Sequence, residues 1–268
     1  MFIVKVPGIN GEGKTIGCER AGNAILNSLK EISSNESRKP IDINLLDLEE
    51  IHLNNNNLEQ TSKLIYENAF EMFDTKPKTI FLGGDHFISY SINKAFLNSC
   101  RNSQKEPCLI VFDAHADCMS QIKGGFPTNR QWIRALVEGG FSGDNIMIVG
   151  ARNIRKDEIE FLKEHNIKIV GMNQVTQDIE DTCDIIMEFS DKKELYVSID
   201  IDVIDPAFAL STANHEPGGF TSRQFLYMIQ RINKVKNLRG LDLTEINEKN
   251  DETGMTIKLG AKILAELI

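Results

Sequence analysis

Cys108–Asp117 reads CLIVFDAHAD. An unbroken apolar run from Cys108 to Phe112 gives way to Asp113, His115 and Asp117 at alternate positions. A short apolar run bounded by polar residues reads as a strand buried on both faces, the kind found inside parallel sheets. Side chains along extended backbone repeat with period two, so the two carboxylates and the imidazole share one face of the strand end.

Seven further segments have the same character, being apolar, rich in Val, Ile and Leu, and bounded by breakers. They are FIVKV (2–6), IDINLLDL (41–48), TIFLGG (79–84), NIMIVGA (145–151), IKIVGM (167–172), LYVSIDID (195–202) and LRGLDLTE (238–245). Amphipathic stretches of helical length separate most of them: Ala21–Ile32, Leu58–Phe73, Ile88–Leu97, Gln131–Glu138, Lys156–Glu164, Asp178–Phe189, Ser222–Ile232 and Met255–Leu267. Strands alternating with helices predict an α/β fold whose mostly parallel sheet is covered on both faces. No repeat or long linker divides the chain, so residues 1–268 are expected to form a single domain. The Asn54–Asn57 run reads as a surface turn.

The totals restrict the function. A formal charge of −9 argues against general affinity for nucleic acid or anionic membrane. The five cysteines are odd in number and irregular in spacing, and they form no CxxC. They read as reduced thiols. The start MFIVKVPGING reaches proline and glycine too early for a secretory leader, and no apolar run approaches a membrane span. A soluble cytoplasmic protein is the expectation.

Ligands of open parallel sheets bind beyond the carboxyl ends of the strands. Acids gather at four of those ends here. TIFLGG runs into Asp85 and His86. CLIVF runs into Asp113, His115 and Asp117. LYVSIDID carries Asp200 and Asp202, with Asp205 beyond. The last strand carries Asp242 and Glu245. If Asp113, Asp117, Asp200 and Asp202 converge, their charges need compensation, because an unpaired buried carboxylate is costly. The motifs contain no lysine or arginine. Two divalent cations would balance the four carboxylates, with His86 and His115 completing a ligand set of nitrogen and oxygen. That set suits Mn²⁺, with Fe, Ni, Co or Zn as alternatives. Alone, an Asp-x-Asp is common on solvated turns, and a histidine after Gly-Gly-Asp reads as a core residue. All three motifs in order, each at a strand end, read as a metal site.

GGDH (83–86), DAHAD (113–117) and SIDIDVIDP (198–206) resemble the three signatures of the ureohydrolase family. That family includes arginase, agmatinase and formimidoylglutamase. EPGGF (216–220), TSRQ (221–224) and GLDLTEIN (240–247) follow it in order. The resemblance implies a three-layer α/β/α fold with an eight-stranded parallel sheet. It also implies two Mn²⁺ per chain. His86, Asp113, Asp117 and Asp200 would hold one, and Asp113, His115, Asp200 and Asp202 the other, so that Asp113 and Asp200 bridge. A metal-bridging hydroxide would attack the guanidino or amidino carbon. Asp117 would move its proton to the leaving nitrogen, and Glu245 would bind the cationic guanidino group. Asp205 and Asp242 would brace the site rather than bind metal. Family members are often trimers or hexamers, so a homo-oligomer is expected.

Two segments depart from the family pattern. Arginases and agmatinases carry His-Gly-x-Pro after the second motif, whereas this chain reads GGFP (124–127), with Gly124 in place of a proton-shuttling histidine. The following TNRQW (128–132) also differs. In DPAFALSTANHEPGGF (205–220), Leu210, Asn214 and His215 replace family residues. This loop resembles one at the active-site mouth, which makes His215 a candidate to return an imidazole. His52 and His165 read as surface residues. Ser120 and Lys123 could contact a substrate carboxylate, and Cys118 reads as a packing residue. Three functions follow in order of preference. The first is a dimanganese hydrolase of a C–N bond in a small cationic guanidino or amidino compound, agmatine being slightly preferred over arginine. The second is a metal-binding homologue without hydrolytic activity. The third is a mononuclear zinc amidohydrolase related to the histone deacetylases.

Overall fold

The computed structural model describes residues 1–120 and 125–268. Its elements run β1 (Phe2–Val6), α1 (Ala21–Leu29), β2 (Asp47–Glu50), α2 (Leu58–Thr75), β3 (Thr79–Gly83), α3 (Ile88–Asn102), β4 (Pro107–Phe112) and α4 (Trp132–Glu138). They continue β5 (Ile146–Val149), α5 (Lys156–Glu164), β6 (Lys168–Val170), α6 (Met172–Gln177), α7 (Ile179–Phe189), β7 (Glu194–Asp200), α8 (Ser222–Ile232), β8 (Leu238–Thr244) and α9 (Met255–Leu267). The eight strands form one sheet in the order β2-β1-β3-β8-β7-β4-β5-β6, and every pairing is parallel.

Alternation along each buried strand feeds two separate cores. Cys108, Ile110 and Phe112 of β4 face a core closed by α1, α6, α7, α8 and α9. Leu109 and Val111 face the opposite core, closed by α2, α3, α4 and α5. The three-layer α/β/α arrangement therefore follows from strands that are apolar on both faces. Phe112, Phe220 and Phe225 pack edge to face in the first core. This contact ties the end of the EPGGF loop to β4 and α8.

The second strand differs from expectation. Ile43–Leu45 is a 3-10 turn, and β2 begins only at Asp47. The Asp42 side chain accepts a hydrogen bond from Asn44 N at 2.9 Å, which favours the turn over extended backbone. Ile41, Ile43 and Leu46 pack against the first core as covering loop residues. The strand itself, DLEE, is an exposed edge. The short helix α6 was not foreseen. Helices α5, α8 and α9 have the predicted bounds, and the other predicted helices differ from theirs by a few residues at one end. All five cysteines are buried and unpaired. Among the described residues, no helix is long and apolar enough to cross a membrane.

Candidate metal centre

The strand order decides where the acids meet. β3, β8, β7 and β4 lie side by side in the middle of the sheet, so the four acidic carboxyl ends are neighbours. Close packing at β3 brings the β1 loop alongside: a Cβ on Gly84 would lie 1.8 Å from Gly8 O, so only glycine fits. Asp85 fastens the same loop by accepting from Asn10 N and Thr15 Oγ1, and its other oxygen accepts from Phe87 N.

His86 and Asp113 are fully buried, and Asp117, Asp200, Asp202 and Glu245 are nearly so. His86 Nδ1 lies 3.1 Å from Asp113 Oδ2, 3.1 Å from Asp117 Oδ2 and 3.3 Å from Asp200 Oδ2. His115 Nδ1 lies 3.0 Å from Asp202 Oδ2 and 3.4 Å from Asp113 Oδ1. Two groups offer ligand atoms mutually within 4.8 Å: His86 with Asp113 and Asp200, and Asp113 with His115 and Asp202. Asp113 is common to both. Asp200 belongs only to the first group, and its other oxygen accepts from Asp202 N at 2.8 Å. Asp117 belongs to neither group, although its Oδ2 approaches His86 as closely as Asp113 does.

Surrounding groups aim these side chains. Asp113 Oδ1 accepts from His115 N at 2.6 Å, and Asp202 Oδ1 accepts from Ala114 N at 3.1 Å. Each of these acids spends one oxygen on backbone and turns the other inward. Asp117 Oδ2 accepts from Trp132 Nε1 at 2.9 Å. Glu158 accepts from Cys118 N, and Arg134 Nε donates to Cys118 O, so the loop after Asp117 is held from both sides. Asp117 and Glu245 have φ of 47° and 65°, a left-handed conformation that costs non-glycine residues energy and clusters at functional sites.

A hydrogen-bond chain assigns the His86 tautomer. Buried Asp242 accepts from Ser89, Tyr196 and Ser198 hydroxyls at 3.0, 2.8 and 2.7 Å. Ser198 has only one proton, and with that donated to Asp242 its oxygen must accept from His86 Nε2–H at 2.9 Å. The Nδ1 lone pair then points into the carboxylates. Nδ1 and Asp113 Oδ2 are close enough for an ion pair but out of line for a hydrogen bond, and both are buried without a hydrogen-bond partner. Lone pairs facing one another in a buried space need a cation between them.

The titration behaviour of the metal-free chain has the same origin. Burial alone would lower His86, but the carboxylates of Asp113, Asp117 and Asp200 outweigh it and raise the imidazole well above its ordinary value. His115 rises to about 12 against burial, through Asp113 and Asp202. Burial and the neighbouring Asp113 raise Asp117 to about 7. Burial, then Asp202 and Asp113, raise Asp200 well above the usual carboxylate range. Asp113 is lowered: burial opposes this, but His115 and His86 prevail. Without metal, the two imidazoles supply the missing positive charge. The donor set of imidazole nitrogen and carboxylate oxygen, with orphaned atoms facing inward, fits one or two divalent cations.

Glu245 Oε1 accepts from His86 N at 3.0 Å and from Asn129 Nδ2 at 2.9 Å, while Oε2 is buried without a partner. Burial and nearby Asp85 raise this carboxyl to about 8. A cleft of about 360 Å³ opens over Asp117, Asp200, Asp202 and His115. His215 lines it from an exposed position, with Nε2 2.6 Å from Leu210 O. It touches none of the clustered acids. Asp205 accepts from Ala207 N, Gly218 N and Gly219 N, which closes the loop carrying His215. Gly124 and Lys123 lie outside the described residues. Ser120 is exposed and lines a neighbouring hollow. His52 is exposed, and half-buried His165, which caps the C-terminal end of α5, packs against Phe161 with the rings tilted.

The roles of several residues around the site are not encoded in the motifs. Asn129, Trp132, Ser198 and Glu158 act through contacts that no spacing encodes. Arg152, just beyond the end of β5, donates to the carbonyls of Gly150, Asp202, Val203 and Glu216, stapling the connections after β5 and β7 together. A positive φ of 98° at Gly150 starts that turn.

Comparison with known proteins bears on the family and the fold. The Arginase family matches residues 1–268. The agmatinase of Bacillus anthracis is 30% identical over 243 residues, covering 90% of this chain and 80% of that one. The formimidoylglutamase of Bacillus subtilis subsp. subtilis str. 168 superposes with a TM-score of 0.88 at 25% identity, covering 99% of this chain and 84% of that one. Proclavaminate amidino hydrolase from Streptomyces clavuligerus superposes with a TM-score of 0.87 at 24% identity, over 99% and 89%. With the match running the full length, and the same eight-stranded scaffold beneath it, this chain belongs to the arginase family.

Proposed function

We propose that the chain is a dimanganese hydrolase that cleaves a C–N bond of a linear guanidino or amidino compound. The observation that carries this reading is Asp113, shared by two ligand groups, with its Oδ2 and His86 Nδ1 both buried and without a hydrogen-bond partner. His86, Asp113, Asp117 and Asp200 would hold one ion, and Asp113, His115, Asp200 and Asp202 the other. When bound, such a pair supplies Lewis acidity and a water acidic enough to react near neutral pH. Asp117 would take a proton on its carboxylate and return it to the leaving nitrogen, the general acid–base task of a carboxyl beside the scissile bond. Glu245 Oε2 accepts from the planar cation of the substrate. The relatives named agmatinase, formimidoylglutamase and proclavaminate amidinohydrolase support a substrate of this class.

The test is a panel of guanidino and amidino compounds offered to Mn²⁺-loaded protein, with urea, ammonia and formamide release measured. Turnover of at least one member is expected. Full metal occupancy without turnover would establish the second reading, a metal-binding homologue that does not hydrolyse, for which Gly124 is the motivating residue. His215→Ala in the same panel decides whether that loop returns an imidazole: a lowered kcat supports the role, and unchanged kinetics remove it.

A further inference from the structure

The two segments that depart from the family pattern meet at the outer cleft. Arg130, from TNRQW, donates from Nη2 to Asn214 Oδ1 at 3.0 Å, and Asn214 belongs to the altered 205–220 loop. Arg130 lines the metal-side cleft and an adjoining hollow of about 190 Å³, standing between the two. It is half-buried, and among the described residues no carboxylate lies within 4.0 Å of its guanidinium. The other arginine of the cleft, Arg155, already faces Asp157 at 3.3 Å. The nearby acids are occupied as well. Glu158 accepts from Cys118 N and Arg155 N, and Glu216 accepts from Asn153 and faces His115. The outer cleft thus offers an unmatched cation and no free carboxylate for an ammonium group.

We infer that Arg130 is a specificity-determining residue that binds a carboxylate at the far end of the substrate. The compound hydrolysed is then an ω-guanidino or ω-amidino acid rather than a guanidino amine. This rests on the function proposed above and reverses the preference for agmatine. A guanidinium held by Asn214 presents its remaining N–H groups as a planar fork, the geometry that a carboxylate matches. The adjoining hollow carries both Glu12 and Lys14, each exposed on its rim, so Arg130 is the charge that distinguishes the cleft.

The test uses Mn²⁺-loaded full-length protein and a matched pair, an ω-guanidinoalkyl carboxylate and the ω-guanidinoalkyl amine of equal chain length. Wild type should favour the acid in kcat/KM. Arg130→Met should lower kcat/KM for the acid by about 10- to 100-fold, mainly through KM, the range of a lost charged hydrogen bond. Arg130→Lys should recover part of that loss. A wild-type preference for the amine, or an acid-to-amine ratio unchanged in Arg130→Met, overturns the inference. If no compound turns over, the catalytic reading fails separately, and binding decides the matter. Calorimetric titration with an ω-amino carboxylate should then show affinity about 10-fold weaker in Arg130→Met. Equal affinity in both proteins overturns the inference.

Discussion

His86 shows how one side chain is prepared for a cation. Asp242 fixes Ser198, Ser198 fixes Nε2–H, and Nδ1 is left pointing at three carboxylates. Groups behind a metal ligand set its tautomer and orientation, and removing one typically costs about 10- to 100-fold in metal affinity. Ser198→Ala is therefore expected to weaken Mn²⁺ binding by about that factor. Calorimetric titration of the metal-free protein measures it, and an unchanged affinity would show that the relay has no hold on His86. The clustered acids and His115 were legible in the sequence because they sit at period two beyond apolar runs. Ser198 was not, since a serine inside a buried strand carries no signal until its neighbour across the sheet is known. Asn129 and Arg130 were equally hidden. Their segment read only as a departure, and its meaning depends on Asn214, more than eighty positions away.

Helix α8 begins at Ser222, where the sequence places it, with Thr221 as its N-cap. Thr221 Oγ1 accepts from Gln224 N at 3.2 Å, and Gln224 Oε1 accepts from Thr221 N at 3.0 Å. This reciprocal cap follows directly after the EPGGF loop, so it also fixes where that loop ends. Thr221→Ala should cost about 1 kcal/mol. Thermal unfolding should report a midpoint lower by about 2–4 °C; no shift would mean that Phe220 and Phe225 hold the junction without the cap. Elements with strong apolar patterns were legible in this way, down to the exact bounds of α8 and α9. The edge strand β2 was not, because its exposed DLEE carries no burial pattern. The apolar residues just before it belong to a covering loop, which mimicked a strand. The Asn54–Asn57 run also does more than turn: Asn57 caps α2, and Asn55 bonds Pro7 O and Ile9 N beside the site.

At the scale of the whole molecule, the sheet order was the feature least accessible from sequence. Period and composition identify strands, but only long-range pairing puts β8 and β7 between β3 and β4. That order concentrates charge, with a consequence for stability. In the metal-free chain, burial raises Asp85 to about 6, Asp117 to about 7 and Glu245 to about 8, with neighbouring acids adding to the last two. Their unfolded values lie near 4. Between about pH 4 and pH 8 the folded chain therefore binds more protons than the unfolded one, and stability falls as pH rises. The raised imidazoles of His86 and His115 act in the same direction above about pH 6.5, their unfolded value. Metal replaces those protons, so the midpoint gap between loaded and metal-free protein should widen as pH rises from about 5 to 8. A gap that narrows over that range would contradict the assignment of these protons to the cluster. The most direct measurement of the central claim is metal content after reloading with Mn²⁺ and desalting. About two ions per wild-type chain are expected, and fewer than about one in Asp113→Asn, because Asp113 serves both positions. Fewer than one ion in the wild type, or two retained in Asp113→Asn, would contradict a shared dinuclear centre.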